Sequence, residues 1–189
     1  MGGGALSTRV CVYCASVEGI AAHHVALAGA VGTAVAARGW ELVSGGGRVS
    51  MMGAVARAAR AGGARTVGVI PRSLVDREWA DRDADELVVV ETMRERKAEM
   101  EARADAFLAL PGGIGTCEEL FEVWTAGALG MHAKPVVLLD PEGHYAGLLD
   151  WVRSAGERGF VRPSAVRRLV VATDVDAALD ACTRGVPAA

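Results

Sequence analysis

A glycine-rich stretch between a strand-like and a helix-like segment is the part of the sequence best suited to chemistry. The apolar run 106–110 is short enough for a buried strand, and Leu120, Phe121 and Trp124 recur at helical intervals. The residues between these segments are Pro111, Gly112, Gly113, Ile114, Gly115 and Thr116. Because the first N–H groups of a helix lack partners and glycine lets a ligand approach the backbone, this turn suits a phosphate group. A strand-to-helix turn without a ligand would also favour glycine, so the pattern alone leaves both interpretations open.

Two interpretations of Glu119 follow from its spacing to Thr116. Thr-x-x-Glu is the pattern of a capping box, in which Thr116 would cap the helix and Glu119 would bond back to the N–H of the cap. Alternatively, the carboxylate of Glu119 faces the cleft and serves a part of the ligand where positive charge appears. Cys117 lies at the same predicted helix N-terminus, where a thiol can be activated. A half-buried packing role is the simpler interpretation of Cys117.

A cationic residue is predicted to point inward from the preceding helix. Met93, Arg96 and Met100 are three and four residues apart and therefore share one stripe of that helix. An inward arginine needs an anionic partner. That partner is either an ordinary protein carboxylate, a substrate phosphate or Glu119. Lys97 lies at the edge of the same face and could reach the same cleft.

A second glycine-rich turn, at residues 44–48, follows another predicted strand. Two such turns at the carboxyl ends of strands predict a shared cleft in an open parallel sheet. Neither turn has the GxGxxG spacing of a dinucleotide site or a Walker lysine, so we predict no NAD, no P-loop and no cofactor. The alternation of strands and helices predicts an α/β fold with a Rossmann-like, doubly wound parallel sheet in a three-layer sandwich. The long polar connection 71–86 is predicted to be either a lid or a solvated excursion.

The whole chain fits one domain. Its 189 residues suffice for a real core, and the net charge of −3 gives no case for a nucleic-acid partner. We expect a disordered lead over 1–8, a domain over 9–183 and a tail over 184–189. No apolar stretch approaches membrane-spanning length. The chain has four cysteines, and we expect no signal peptide before them. We therefore expect the protein to be cytoplasmic, because thiols stay reduced there.

Two pairs of possible metal ligands are set aside. Cys11 and Cys14 form a CxxC, but residues three apart on a strand point to opposite faces. His23 and His24 are adjacent on a predicted helix, where successive side chains diverge by about 100°. We therefore expect surface histidines rather than a ligand pair, and we predict no metal site.

Two longer motifs, in this order, match a known family. Met93-x-x-Arg96-Lys97-x-x-Met100, followed by Pro-Gly-Gly-x-Gly-Thr-x-x-Glu over 111–119, resembles the paired motifs of the Lonely Guy family. Members of that family are cytokinin riboside 5′-monophosphate phosphoribohydrolases, many once labelled lysine decarboxylases. The likeness extends from Val10 to about Leu179. We find no lysine in a setting that suits pyridoxal phosphate, so a lysine decarboxylase is rejected.

The resemblance implies a fold, a reaction and a set of site residues. The fold would be a Rossmann-like α/β sandwich, and the protein would be a homodimer or a larger oligomer. The reaction would hydrolyse the N-glycosidic bond of an N6-substituted AMP, a nucleoside 5′-monophosphate, to a free base and ribose 5-phosphate. Arg96 and Glu119 would be the catalytic pair. The residues implied to line the substrate are Lys97, Gly112, Gly113, Ile114, Gly115, Thr116, Cys117, Glu118 and Thr125.

The chemistry of that reaction fits the residues. Loss of a purine from ribose passes through an oxocarbenium-like state, which a fixed carboxylate stabilises. Glu119 would then face the sugar while the glycine turn holds the phosphate. Arg96 would keep Glu119 ionised, bind the phosphate or assist the leaving purine. Two alternatives remain, namely a glycosidase acting on plain AMP or other nucleoside monophosphates, and a non-catalytic carrier of a nucleotide or cofactor.

The chain departs from the family pattern at four places, one of which is the Asp-rich loop after Ile70, which is longer than usual for the family. Arg94 stands where histidine is frequent, and it lies off the inward stripe. Ala15 stands where the family often has glycine, and Ala126-Gly127-Ala128 replaces larger or polar residues. The change at 126–128 would alter the dimer surface or the base pocket. The preference for prenylated bases is therefore not implied by the resemblance.

Overall fold

A computed structural model describes residues 7–75 and 79–184. Within these residues, strands and helices alternate along almost the whole chain. The strands are β1 (Arg9–Tyr13), β2 (Glu41–Ser44), β3 (Thr66–Pro71), β4 (Glu86–Val90), β5 (Ala106–Ala109), β6 (Val136–Leu139) and β7 (Leu169–Ala172). The helices are α1 (Ala22–Ala37), α2 (Ser50–Ala61), α3 (Arg72–Val75), α4 (Met93–Arg103), α5 (Ile114–Ala128), α6 (Ala146–Glu157), α7 (Pro163–Arg167) and α8 (Val175–Ala181).

All seven strands pair in one parallel sheet, in the order β4-β3-β2-β1-β5-β6-β7. Strand β1 is central, and Val10 lies between Leu42 of β2 and Ala106 of β5. The chain builds the sheet outward from β1 to β4 and then crosses back to β5. The strand order therefore reverses between β1 and β5, where open α/β sheets bind their ligands. The predicted Rossmann-like, doubly wound, three-layer fold is confirmed.

The central strand separates two cores. Val10, Val12 and Cys14 face the layer of α1, α2 and α8, whereas Cys11 and Tyr13 face the layer of α4, α5 and α6. Cys11 and Cys14 thus point to opposite sides of the sheet, as predicted, and both are free and buried. Burial raises the pKa of each thiol. The CxxC is a packing feature and not a redox or metal pair.

The helices on one side pack through small residues. An added Cβ at Gly32 of α1 would lie 2.2 Å from the backbone oxygen of Val55 in α2. Since overpacking typically costs about 1–3 kcal/mol, Gly32→Ala is expected to lose about 3 kcal/mol of stability. Gly29→Ala is the matched control on α1, because nothing lies within 4 Å of its added Cβ. This control should gain about 0.5–1 kcal/mol from helix propensity.

Denaturant unfolding of the two variants tests this packing. The free energies of unfolding of Gly32→Ala and Gly29→Ala should differ by the loss expected for the first variant plus the gain expected for the second. Equal stabilities would show that α1 and α2 separate easily and do not form a close contact.

The connection after β3 is anchored at its far end. Ala80 forms an antiparallel bridge with Gly47, and Asp81 is buried in an ion pair with Arg60 at 2.8 Å. Residues 76–78 lie outside the described part. The end of this connection, predicted to be a lid or a solvated excursion, is therefore held beside the second glycine turn.

The ends of the described chain bear on two further predictions. Residues 1–6 and 185–189, from the predicted lead and tail, lie outside the described residues, while Ser7 already bonds to the Gly39 carbonyl at 2.6 Å. Asp174 caps α8, because its carboxylate accepts from the N–H of Ala177. Among residues 7–75 and 79–184, no helix combines the length and apolar character needed to cross a membrane.

Candidate active site

A cleft opens at the carboxyl ends of β1, β2 and β3. Its cavity has a volume of about 410 Å³. The glycine turn after β2 and the anchored connection after β3 form its walls, and one charged guanidinium reaches its floor. The residues that line it are Ser16, Val17, Glu18, Gly45, Gly47, Val49, Met52, Ile70, Leu74, Trp79 and Arg96.

Helix α4 places Arg96 on that floor. A capping box fixes the start of the helix, because Thr92 accepts from the N–H of Glu95 while the Glu95 carboxylate accepts from the N–H of Thr92. The buried guanidinium then donates to the carbonyls of Val69 at 3.1 Å and Gly45 at 3.2 Å. The predicted inward orientation of Arg96 is confirmed, and it joins β3 to the glycine turn after β2.

Glu119 is the carboxylate that faces Arg96. The distance from Arg96 Nη1 to Glu119 Oε1 is 3.5 Å, and the two side chains are 8% and 9% exposed. Burial raises the pKa of Glu119 to about 7, although Arg96 opposes the shift. A carboxyl group with this pKa changes its charge near neutral pH, which is common at catalytic sites.

Of the two interpretations of Glu119, the capping box with Thr116 is the wrong one. Helix α5 begins at Ile114 with Gly113 as its N-cap, so Thr116 lies inside the first turn. Its buried side chain fills the space over Gly112, where an added Cβ would lie 2.1 Å from Thr116 Oγ1. Because the N-cap is Gly113, three residues before Thr116, Glu119 lies beyond the first turn of the helix, where it faces Arg96 and does not cap.

The glycine turn before α5 is open to solvent at Gly113, Ile114 and Gly115. The N–H groups of the first helical residues have no carbonyl within the helix to bond to. Added Cβ atoms at Gly113 or Gly115 would meet nothing within 4 Å, so the space above this helix end is free for an anion. Cys117 is half-buried and burial raises its pKa, which fits a packing role and not an activated thiol.

Lys97 is paired with carboxylates at the rim of the site. It contacts the Glu118 carboxylate and lies 2.6 Å from Glu122 Oε2. The hydrogen bond to Glu118 is the largest cause of its raised pKa. Two of the residues implied to line the substrate, Lys97 and Glu118, therefore neutralise each other between α4 and α5.

Thr125 lies in a different hollow. It lines a cavity of about 330 Å³ together with Phe121, Trp151 and Phe160, and none of these four lines the cleft that contains Arg96. Within one chain, the structure does not bring Thr125 to the other predicted site residues.

A loop that sequence analysis missed supports the glycine turn. The loop after β6 folds around buried Asp140, whose carboxylate accepts from the N–H groups of His144 and Tyr145. His144 Nε2 lies 2.9 Å from the Gly112 carbonyl, and the Tyr145 hydroxyl donates to the Leu110 carbonyl at 2.9 Å. The Asp-Pro that follows β6 marks a turn, but no local pattern shows that this turn reaches residue 112.

Comparison with known proteins supplies the family. Residues 52–182 match the family model described as possible lysine decarboxylase. A cytokinin riboside 5′-monophosphate phosphoribohydrolase of Mycobacterium marinum is 58% identical, over 93% of this chain and 94% of its own. Proteins with the same name are 57% identical in Mycobacterium tuberculosis (92% of each chain) and 44% identical in Arabidopsis thaliana (86% of this chain and 76% of its own).

The chain belongs to the cytokinin riboside 5′-monophosphate phosphoribohydrolase family. The predicted family resemblance is thus confirmed. The older description, possible lysine decarboxylase, names the same family, but the relatives above are named for N-glycosidic hydrolysis. The expectation that the chain is not a lysine decarboxylase is likewise borne out.

Solved structures of proteins with other names share this fold. A molybdenum cofactor carrier protein from Chlamydomonas reinhardtii superposes with a TM-score of 0.69 at 24% identity, over 93% of this chain and 95% of its own. A molybdenum cofactor binding protein from Rippkaea orientalis gives a TM-score of 0.69 at 19% identity, over 92% and 94%. At these identities the likeness concerns the fold alone. The fold therefore does not decide between a hydrolase and a carrier.

Proposed function

We propose that this protein hydrolyses the N-glycosidic bond of an N6-substituted adenosine 5′-monophosphate, releasing a cytokinin base and ribose 5-phosphate. The observation that carries the proposal is the buried pair of Arg96 and Glu119, placed between two glycine turns at the switch point of the sheet. The names of the relatives at 57–58% identity support the same reaction. Analysis of the products formed from AMP and its isopentenyl derivative tests it.

The phosphate is assigned to the start of α5. Gly113, Ile114 and Gly115 are exposed there, and the helix dipole adds positive potential. Thr116 and Gly112 shape the turn from below, and His144 holds it through the Gly112 carbonyl. We therefore assign the ribose to the space between the turn and Glu119, which lies one to two turns further along the same helix.

Glu119 is proposed to stabilise the positive charge that builds on the ribose as the purine leaves. Its carboxylate is fixed by burial and by Arg96, so little reorganisation is needed at the moment of reaction. Arg96 donates to two carbonyls on its other edge, which holds the guanidinium in place. Arg96 then favours the ionised form of Glu119 and offers positive charge to the phosphate or the departing base.

The base and its N6 substituent are assigned to the apolar part of the cleft. Met52, Ile70, Leu74 and Trp79 present aliphatic and aromatic surface to a cavity of about 410 Å³. Such a surface suits an apolar substituent better than the amino group of plain AMP, because its burial removes apolar area from water. A faster reaction with plain AMP would favour the general nucleoside monophosphate glycosidase.

The rate should rise with pH through the pKa of Glu119. Its pKa is raised from 4.5 to about 7, so the carboxylate required for catalysis is lost as the pH falls below 7. We expect kcat/KM to drop about tenfold per pH unit below that value and to level off above it. Measuring kcat and kcat/KM across this range checks the sign. A rate that falls as pH rises through 7 would show instead that Glu119 acts in its protonated form.

We also propose a homodimer in the cytoplasm. A face beside α5 and α6 exposes four large apolar side chains, and Phe160 and Met131 are 80% and 77% exposed. This apolar face consists of Leu129, Met131, Trp151 and Phe160. Leu129, Trp151 and Phe160 line one hollow, and an exposed apolar patch of this kind is typical of a protein interface. Thr125 lies beside it, so its predicted contact with substrate would require a second chain.

Phe160→Glu should convert the dimer to a monomer, because it buries a carboxylate in the proposed interface. Ala26→Glu is the control, since it adds the same charge at an exposed position of α1, on the other side of the sheet. Light scattering at matched concentrations measures both. A wild-type protein that is already monomeric, or a Phe160→Glu variant that stays dimeric, would contradict this interface.

A further inference from the structure

Three of the four histidines of the chain gather at one edge of the molecule. His23 Nε2 lies 3.0 Å from Glu142 Oε2, and the ring centroids of His23 and His24 are 4.1 Å apart. One ligand atom from each of His23, His24 and Glu142 lies within 4.8 Å of the others. The sequence predicted surface histidines and not a ligand pair, whereas the structure brings both rings beside a carboxylate from a distant segment.

The geometry of two elements explains why these groups meet. His23 and His24 lie in the first turn of α1, and helical side chains lean toward the N-terminus of their helix, so both rings reach past its end. Glu142 comes from the loop after β6, whose shape is fixed by the Asp140 hydrogen bonds and by Gly143 with φ +75°. The cluster therefore joins two ordered segments that are distant in sequence.

We propose that His23, His24 and Glu142 bind a divalent transition-metal ion such as Zn²⁺. Two imidazoles and one carboxylate are a common donor set for this ion. With Zn–N and Zn–O bonds near 2.0–2.2 Å, tetrahedral ligands lie about 3.3–3.5 Å apart. The ligand atoms, all within 4.8 Å, reach that spacing through small rotations of the exposed His23 and Glu142 and the half-buried His24. The fourth position stays open to water.

His144 connects this site to the glycine turn. Its ring lies 6.1 Å from that of His24, and its Nε2 donates to the Gly112 carbonyl. A carbonyl only accepts, so His144 Nε2 is the donor in this contact. A metal ion held by His23, His24 and Glu142 would tie α1 to the loop that supports Gly112. The site lies outside the Arg96 cleft, so the proposal does not depend on the proposed hydrolase function.

Titration of the untagged full-length chain with Zn²⁺ in a calorimeter, and with Co²⁺ as a spectroscopic probe, tests the site. We expect one ion per chain and a visible Co²⁺ spectrum without a thiolate charge-transfer band. His23→Ala, His24→Ala and Glu142→Gln should each raise the Kd for the ion by roughly tenfold or more. Removing even a residue that only hydrogen-bonds to a metal ligand typically lowers metal affinity about 10- to 100-fold. Glu157→Gln, an exposed carboxylate on α6, is the control and should bind like the wild type.

The outcomes separate the metal site from a surface ion pair. Zn²⁺ should raise the Tm of the wild type and of Glu157→Gln, and it should raise the Tm of the three ligand variants much less. No binding by the wild type would mean that His23 and Glu142 form an ion pair only. Equal binding by His23→Ala and the wild type, or a thiolate band from the cysteines, would place the ion elsewhere and overturn the proposal.

Discussion

Glu119→Gln is expected to lower kcat by about 10²- to 10⁴-fold, the range found when a catalytic carboxylate or a transition-state contact is removed. The amide has nearly the same shape as the carboxyl group, so Arg96 and the surrounding core keep their places. What the variant loses is the negative charge opposite the ribose. KM should change little, because the phosphate is assigned to the start of α5 and not to Glu119.

The control for Glu119→Gln separates loss of charge from loss of structure. Glu157→Gln makes the same chemical change at an exposed position of α6 and should leave kcat unchanged. The far-ultraviolet circular dichroism and Tm of Glu119→Gln should show a folded protein. Wild-type turnover in a folded Glu119→Gln variant would remove Glu119 from the mechanism.

Arg96→Ala is expected to damage both activity and stability. It removes the donors to the Val69 and Gly45 carbonyls and leaves the Glu119 carboxylate buried without a cation. Deleting one member of a buried ion pair typically costs 3–5 kcal/mol, and activity should fall by about 10²-fold or more. The pKa of Glu119 should rise further in this variant. The stability deficit should therefore grow as the pH rises, because the carboxyl group is then forced to ionise without a partner.

Arg94→Ala is the matched control on the same helix, since Arg94 is exposed two residues before Arg96. Urea unfolding of both variants at several pH values, with steady-state kinetics on each, measures the two effects. We expect Arg94→Ala to match the wild type throughout. A stable and active Arg96→Ala protein would show that the cleft does not need its guanidinium.

Much of the fold and the centre of the site could be predicted from local patterns. The apolar runs define strands, and the glycines at their ends locate the turns, since each of these depends on neighbours within a few residues. The inward position of Arg96 followed from its place between Met93 and Met100. Its contact with Glu119 was one of several alternatives, and only the sheet order that places α4 and α5 side by side decides among them.

The remaining features depend on contacts between distant segments. Thr116 has the spacing of a cap, but the helix starts two residues before it because Gly113 adopts the capping position. Lys97 is neutralised by Glu118 and Glu122, which a single helix pattern cannot show. His23 of α1 meets Glu142 of the loop after β6, although the two segments are far apart in the sequence.

The central claim is catalysis, and product analysis tests it most directly. Pure protein is incubated with AMP and with isopentenyladenosine 5′-monophosphate, and free base and ribose 5-phosphate are quantified by chromatography, with Glu119→Gln as the inactive reference. We predict equimolar base and ribose 5-phosphate, formed faster from the isopentenyl nucleotide. Stoichiometric binding measured by calorimetry, with no base released from either nucleotide, would contradict the hydrolase and favour a nucleotide or cofactor carrier.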